Sequence, residues 1–299
     1  MTRLLPLPDR YDLRRSLFPL ALGHDLTVRI TGTEVWWATR GPLGPATLHL
    51  AVVAGSLRAT AYGPGAEWAL DQADAVAGLR DDLAGFGDLA GGHPLVARLA
   101  REHSGLRLPR TGRLFHHLVP TILSQKVTGL EAKRSYAALV RHFGEPAPGP
   151  VPAGLLLPPD PAILAATPYW VLHPFGVEQR RAETIRRAAA HATALEAAPD
   201  TETARRRLTS VAGIGAWTAA EVVRVSHGDA DAVSVGDYHI PNQVAWALAG
   251  EPRGDDARML ELLEPFRGHR GRVCQLLSAA GISAPRFGPR MPVRSFARF

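Results

Sequence analysis

The spacing of apolar positions changes near residue 65 and divides the chain into two kinds of structure. Before that point, short runs rich in Val, Thr, Trp and Leu are separated by Gly or Pro, as in strands joined by tight turns: LTVRI, VWWAT, ATLHLAVV and SLRATAY. From residue 68 to residue 86, apolar residues recur three and four positions apart, as on one face of a helix. The pattern predicts an α+β domain that ends near Gly92 and a longer helical part after it.

Capping residues mark the ends of several predicted helices in the second part. Thr128 and Glu131 have the spacing of a capping box, and the helix that they start should stop at Gly144. Pro120 lies inside the apolar pattern of residues 111–125 and predicts a kink there. Further helices are predicted over residues 177–195, 240–249 and 256–263, whereas the proline-rich residues 145–161 predict a loop.

Composition limits the classes of protein to consider. The 299 residues suggest two or three domains, and an apolar fraction of 46% allows sizeable cores. A net charge of +6 favours a polyanionic partner without establishing one. Because no apolar run is long enough for a membrane span and the N-terminus lacks a signal-peptide core, we expect no membrane partner and a cytoplasmic, nucleoid-associated location.

One stretch, residues 208–242, combines a glycine turn with a carboxylate at a definite spacing. Gly213-Ile214-Gly215 separates two helical segments, and Asp237 follows Gly215 by 22 residues. Glycine permits positive φ and close approach of another backbone. A helix that begins just after the turn would direct amide N–H groups and its dipole at an anion such as a phosphate. The alternative is an ordinary packing corner between two helices.

The run L-x-x-V-x-G-I-G-x-W-T-A, followed by V-G-D-Y, resembles the helix-hairpin-helix base-excision DNA glycosylases, in particular the DNA-3-methyladenine glycosylase II branch. The resemblance covers about residues 93–280 and extends loosely to the N-terminal domain. It implies a multidomain α+β protein, with an antiparallel β-rich domain over residues 1–92 and a glycosylase core of two helical subdomains over residues 93–282. Residues 283–299 would form a basic C-terminal tail.

The resemblance implies that Asp237 is the catalytic carboxylate. Breaking an N-glycosidic bond builds positive charge on the sugar, which a nearby carboxylate stabilises while it orients or deprotonates water. Because Asp237 precedes a predicted helix, a purely structural cap is the alternative. Trp217 stands where strand-cleaving relatives carry the lysine that forms a Schiff base, so we expect base removal without AP lyase activity.

The target base must leave the duplex, and the resemblance assigns Trp217 and Tyr238 to the aromatic pocket that holds it. Ordinary core packing is the alternative for both rings. Glu221 stands one helical turn beyond Trp217, where an aromatic residue is expected. A more acidic pocket of this kind would suit a cationic alkylated purine.

The resemblance also supplies the DNA contacts. ILSQKVT matches the segment that enters the minor groove, which implies that Gln125 fills the gap left by the flipped base and Lys126 contacts phosphate. A solvated helix end is the alternative. Arg270 matches a basic position beside the cleft, with a salt bridge to a nearby acid as its alternative. The amides of the hairpin should hold the DNA backbone, and they belong to Gly213, Ile214, Gly215 and Ala216.

A basic face on a neighbouring helix offers secondary phosphate contacts, with solvated side chains as the alternative. It consists of Arg180, Arg181, Arg186 and Arg187.

No cofactor is required by this assignment. In the family, carbonyls before the hairpin hold a structural Na⁺ or K⁺, here by match those of Thr209, Val211 and Ile214. The only cysteine, Cys274, excludes an intramolecular disulfide framework and an iron–sulfur cluster held by four cysteines of one chain.

The expected partner is double-stranded DNA that contains damaged bases, bound by a monomer in base excision repair. Two other functions stay open. One is a noncatalytic helix-hairpin-helix protein that binds DNA damage, and the other is a bifunctional glycosylase for oxidised bases.

Overall fold

A five-stranded antiparallel sheet forms the N-terminal part of the protein in a computed structural model, which describes residues 1–21 and 25–285. The strands follow the order β1-β5-β4-β3-β2 across the sheet. Their bounds are β1 Thr2–Pro6, β2 Val28–Ile30, β3 Glu34–Gly41, β4 Gly44–Val53 and β5 Ser56–Tyr62. The four predicted strands are present, whereas β1, which pairs only with β5, was not predicted because its five residues show no alternation of apolar and polar side chains.

The sheet is covered on both faces. On one face, Trp37, Leu48 and Leu57 pack against the first two helices in a core that contains mostly N-terminal residues. On the other face, Ala38 packs against the proline-rich loop predicted over residues 145–161, and the amide of Leu156 donates to the carbonyl of Leu26 at 2.8 Å. The loop therefore joins the N-terminal sheet to the helical part.

Sixteen α-helices lie in the described ranges. In chain order they are α1 Leu13–Leu17, α2 Ala66–Asp71, α3 Ala73–Val76, α4 Phe86–Gly91, α5 Pro94–Glu102, α6 Leu114–Leu123, α7 Gly129–Phe143, α8 Pro161–Ala166, α9 Tyr169–Leu172, α10 Gln179–Ala190, α11 Ala192–Glu196, α12 Thr201–Thr209, α13 Ala216–Ser226, α14 Ile240–Ala249, α15 Asp256–Leu263 and α16 Arg270–Ala279. None of the helices in these ranges is long and apolar enough to cross a membrane.

Local capping chemistry sets several of these bounds as the sequence predicts. Thr128 and Glu131 form both hydrogen bonds of the capping box at the start of α7. The predicted helical run over residues 68–86 is wrong in one respect, because it is divided into α2, α3 and α4. Gly78, with φ of 74°, lies in the left-handed region and forms a turn just after α3. Leu83, which the helical pattern placed on the apolar face, is exposed.

The helices form two groups with separate apolar cores. The first group contains α6–α13, and the second contains α4, α5 and α14–α16. The predicted α+β domain extended to Gly92, yet α4 contributes Phe86 and Ala90 to the second helical core, because its apolar face meets α5. Residues 286–299, most of the predicted tail, lie outside the described residues.

Candidate functional site

The glycine turn joins α12 to α13, and both of its glycines are exposed, but only one of them has room for a side chain. Gly213 has φ of +99°, and a Cβ added there would lie 2.1 Å from Oγ1 of Thr184 on α10. Gly215 is exposed, and a Cβ added there would meet no atom within 4 Å. The fold itself therefore requires glycine at position 213. At position 215 the fold has room for a side chain, so the absence of one instead lets another molecule approach the main chain closely.

The start of α13 is open to an anion. Gly215 is its N-cap residue in extended conformation and provides no side-chain cap, and Ala216 is exposed in the first turn. The first amides of a helix have no partner within the helix, and the dipole adds partial positive charge. This eleven-residue helix thus begins at an exposed turn whose N–H groups suit a phosphate.

Asp237 lies between α13 and α14, where three N–H donors hold its half-buried carboxylate. Oδ1 accepts hydrogen bonds from the amides of His239 at 2.7 Å and Ile240 at 2.9 Å. Oδ2 accepts one from the indole Nε1 of Trp217 at 2.9 Å. The structure brings two of the predicted site residues into direct contact, and it also shows the capping contacts at the start of α14 that were the alternative for Asp237.

Glu221 lies one turn after Trp217 on α13, within a network of polar side chains. Its carboxylate accepts a short hydrogen bond from Oγ of Ser234 and a 2.9 Å contact from Arg224. Arg224 also donates to Oε1 of Gln275 on α16 at 3.1 Å. The negative charge of Glu221 is therefore paired. This pair was not predicted, although Arg224 stands at the helical spacing for it.

Cys274, the neighbour of Gln275 on α16, also lies near this network. Burial raises the pKa of its thiol to about 12, and the charge of Glu221 adds to the effect. The thiol is protonated at neutral pH and adds no charge to the site.

The two predicted aromatic pocket residues differ in exposure. Trp217 is partly buried, whereas Tyr238 is 79% exposed and its ring contacts that of His239 edge-on, with 4.9 Å between centroids. Core packing, the alternative for both residues, does not apply to Tyr238. Its exposed ring is available for a molecule that approaches from solvent.

The loop between α6 and α7 is attached to the glycine turn through Gln125. Its Nε2 donates to the carbonyl of Gly213 at 3.1 Å and to Oγ1 of Thr218 at 2.9 Å. Lys126 is exposed, and its φ of +55° places it in the left-handed region, which non-glycine residues seldom adopt. The loop therefore fixes Gln125 against the turn and presents Lys126 to solvent.

Only part of the predicted basic face is on the surface. Arg180 and Arg187 are exposed, and a guanidinium nitrogen of Arg187 lies 3.5 Å from the carbonyl of Ala212 in the turn. Arg181 was wrongly assigned to this face. It is buried because its guanidinium donates to the carbonyl of Leu123 at 2.8 Å, which holds the end of α6 before the Gln125 loop.

Two further arginines have acidic partners. Arg186 bonds to both carboxylate oxygens of Glu183 at 3.0 Å. Arg270 forms a bidentate pair with Asp231 at 2.8 and 2.5 Å, so the salt bridge that was its alternative is present.

The three carbonyls suggested for an alkali ion lie between the end of α12 and the start of α13, at residues 209, 211 and 214. Thr209 ends α12, and the carbonyl of Val211 already accepts the amide of Ile214 at 3.0 Å. A carbonyl oxygen has two lone pairs, so this bond is compatible with a cation contact. In the described ranges, no group of three or more His, Cys, Asp or Glu side chains could hold a metal ion. The alkali ion stays a prediction.

The sequence matches no protein-family model and no curated protein. Solved structures do match. A 3-methyladenine DNA glycosylase from Archaeoglobus fulgidus has a TM-score of 0.76 at 17% identity, over 92% of this chain and 97% of that one. An 8-oxoguanine glycosylase/lyase from Clostridium acetobutylicum, solved with double-stranded DNA, has a TM-score of 0.61 at 13% identity, over 84% and 95%.

A DNA-3-methyladenine glycosidase from Bacillus halodurans has a TM-score of 0.50 at 26% identity, over 67% of this chain and 90% of that one. These likenesses show that the chain has the fold of the helix-hairpin-helix DNA glycosylases. The predicted order, an antiparallel β-rich part followed by a helical core, is confirmed.

Proposed function

We propose that this chain, which has the fold of the helix-hairpin-helix DNA glycosylases, is itself a DNA glycosylase that removes a damaged base from duplex DNA. One observation carries the proposal. The Asp237 carboxylate is fixed by two main-chain amides at the start of α14 and by Nε1 of Trp217, which lies in the first turn of the helix that begins at the exposed glycine turn. A turn that binds backbone phosphate and a positioned carboxylate are the two parts that the reaction needs.

Asp237 supplies the chemistry at the sugar. Loss of the base leaves an oxocarbenium-like sugar, and a carboxylate close to C1′ stabilises that charge and can orient or deprotonate the attacking water. The three N–H donors hold the carboxylate in one orientation before substrate arrives. Fixed charges of this kind need no reorganisation when the transition state forms. Asp237 can therefore cap α14 and act in catalysis at the same time.

The exposed side of the hairpin region is the proposed DNA surface. The amides of Gly213, Gly215 and Ala216 would contact the phosphates of one strand, with Arg187 beside them. The amide of Ile214, also assigned to the DNA contact by the resemblance, is bonded to the carbonyl of Val211 within the turn and does not take part. Lys126 projects from the neighbouring loop and would reach the duplex, while Gln125 holds that loop to the turn. The resemblance gave Gln125 the position in the gap left by the flipped base. Because the amide nitrogen of Gln125 already has two partners in the protein, we assign the main DNA contact of this loop to Lys126. Arg270 contributes only if it leaves Asp231.

We further propose that the enzyme is monofunctional. A strand-cleaving glycosylase needs an amine that forms a Schiff base with C1′. Position 217 instead carries an indole whose N–H is bonded to Asp237. The chain has two lysines, Lys126 and Lys133, so borohydride trapping is a simple test. No covalent adduct is expected, and an adduct that disappears in Lys126→Ala would assign a lyase function to the loop.

The proposed substrates are alkylated purines, whose methylation at ring nitrogen makes the base cationic. A cationic base can stack on Trp217 and is attracted by the carboxylate of Asp237. Glu221 adds little net charge because Arg224 is paired with it. We therefore expect 3-methyladenine and 7-methylguanine to be released faster than a neutral damaged base such as hypoxanthine.

The test is release of free base from methylated duplex DNA by the purified protein and by Asp237→Asn. We expect release by the natural chain and a loss of at least about a hundredfold in the variant, with duplex binding retained. Release that survives the substitution would remove Asp237 from its role. Duplex binding without release of any base from a panel of lesions would favour the noncatalytic DNA-damage-binding protein.

A further inference from the structure

A groove of about 520 Å³ lies where α4, α5 and α16 meet the segment before α1. Its walls include Phe86, Leu276 and small side chains such as Ala90, Ala97 and Ala100. Small residues on two neighbouring helices leave a slot between them, and the volume is in the range of ligand sites. None of its lining residues belongs to the glycine turn, the Gln125 loop or the Asp237 pair.

The charge of the groove is one-sided. Four arginines and one histidine line it, and no aspartate or glutamate does. Arg272 is the buried one, and its charge is compensated by Asp81 at 2.6 and 2.8 Å. The other three are not compensated in this way.

Arg10, Arg101 and Arg107 form the uncompensated set. Arg10 and Arg101 are exposed, and neither has an acidic partner in the part of the chain that the structure describes. Arg107 donates to the carbonyls of Ser104 and Leu106. Guanidinium groups bind phosphates through two parallel N–H bonds, so this rim fits an anion.

His103 adds an imidazole ring to the wall of the groove. Its Nδ1 atom is buried and has no hydrogen-bond partner among the described residues, and the residue lines the groove. A buried polar atom without a partner costs free energy, and such atoms are rare in folded proteins. Other buried polar atoms of the described residues, such as Nδ1 of His93 outside the groove, lack a partner in the same way, so the arginines of the rim are what indicate an anion.

We propose that this groove binds a small organic anion with a flat apolar body and a phosphate, the chemistry of a nucleoside monophosphate. The body would lie in the slot between α4 and α5, against the half-buried Ala97 and Ala100 and the edge of Phe86. The phosphate would contact Arg101 and Arg107 at the rim. The inference does not depend on the proposed glycosylase activity, because the groove and the candidate site share no residue.

The test is titration calorimetry of the full chain with AMP, with adenosine and with inorganic phosphate as separate probes. AMP should bind, and each fragment alone should bind at least about tenfold more weakly, since each makes only half of the contacts. The measurement is repeated with a saturating abasic-site duplex, which occupies the DNA surface. Binding of AMP should persist.

Arg101→Ala is the informative variant, with Arg98→Ala as its matched control. Both residues are exposed on α5, but Arg98 is paired with Glu102 and does not line the groove. We expect AMP affinity to fall about tenfold in Arg101→Ala and to stay unchanged in Arg98→Ala. Equal affinity in all three proteins, no binding of AMP, or loss of AMP binding in the presence of duplex DNA would each overturn the proposal.

Discussion

The indole Nε1 of Trp217 donates a 2.9 Å hydrogen bond to Oδ2 of Asp237, across 20 residues of chain. This bond gives the tryptophan a role beyond that of an aromatic wall, because it fixes the carboxylate that would face the sugar. Asp237 keeps its two main-chain donors if the indole N–H is removed. The contribution of the single bond can therefore be measured.

Trp217→Phe should slow base release while duplex binding is retained. The variant keeps an aromatic ring and loses only the N–H donor to a charged acceptor, a contact of about 1.5–3 kcal/mol, so we expect a decrease of about tenfold or more under single-turnover conditions. Trp170→Phe is the control, because Trp170 is 72% exposed on α9. An unchanged rate in Trp217→Phe would show that the bond does not position Asp237.

The two glycines of the turn should respond differently to the same substitution. Gly213→Ala forces a side chain into the left-handed region and against Thr184, so we expect the free energy of unfolding to fall by about 2–4 kcal/mol. Gly215→Ala meets no atom of the protein and should lower the free energy of unfolding by only about 1 kcal/mol, because alanine is a poorer N-cap residue than glycine.

Duplex binding provides the second measurement on Gly215→Ala. If the turn approaches a DNA backbone, the added methyl group should weaken binding of an abasic-site duplex although the protein is fully folded. Urea unfolding and fluorescence anisotropy separate the two effects. Unchanged affinity in Gly215→Ala would place the DNA contact elsewhere.

Two buried histidines on α6 should make the protein sensitive to mild acid. Burial lowers the pKa of His117 from 6.5 to about 3, with a smaller effect from Arg224, and burial also lowers that of His116. Their ring nitrogens bond to threonine hydroxyls, including His117 Nε2 with Thr111 at 2.9 Å. Both rings are thus neutral in the folded protein.

The direction of the pH effect follows from these lowered pKa values. Below 6.5 the unfolded chain binds protons that the folded chain does not, so stability falls as pH decreases through that value, by up to about 1.4 kcal/mol per pH unit for each histidine. Urea unfolding between about pH 7 and about pH 5 measures the slope. His117→Gln should flatten it, and an unchanged slope in that variant would contradict the assignment to His117.

Those parts of the fold that depend on neighbouring residues in the chain were predictable. Gly250, with φ of +70°, ends α14 where the sequence places the end, and Thr128 starts α7 as a capping box. The burial of Arg181 was not predictable, because its position beside exposed Arg180 gives no sign of the carbonyl of Leu123 that it meets.

In the site, too, the residue types were predictable and their contacts with distant residues were not. The glycine turn and Asp237 were found from their spacing and from the family resemblance. Their hydrogen-bonded contact through Trp217, the anchoring of Gln125 on the turn and the pairing of Glu221 with Arg224 required the structure. Spacing identifies residue types, but the choice of partner depends on how α13 packs against its neighbours.

Arg187 should contribute to the salt dependence of DNA binding, whereas Arg186 on the same helix should not. Arg187 is exposed beside the turn, 3.5 Å from the carbonyl of Ala212, while the charge of Arg186 is paired with Glu183. Each phosphate that a protein neutralises changes the slope of log K against log salt by about −0.9. Arg187→Ala should therefore make the slope shallower by about that amount, and Arg186→Ala should leave it unchanged.

The measurement is duplex affinity across a range of KCl concentrations. Identical slopes for Arg187→Ala and the natural chain would exclude Arg187 from the DNA surface. A change in Arg186→Ala alone would show that Glu183 releases its partner when DNA binds.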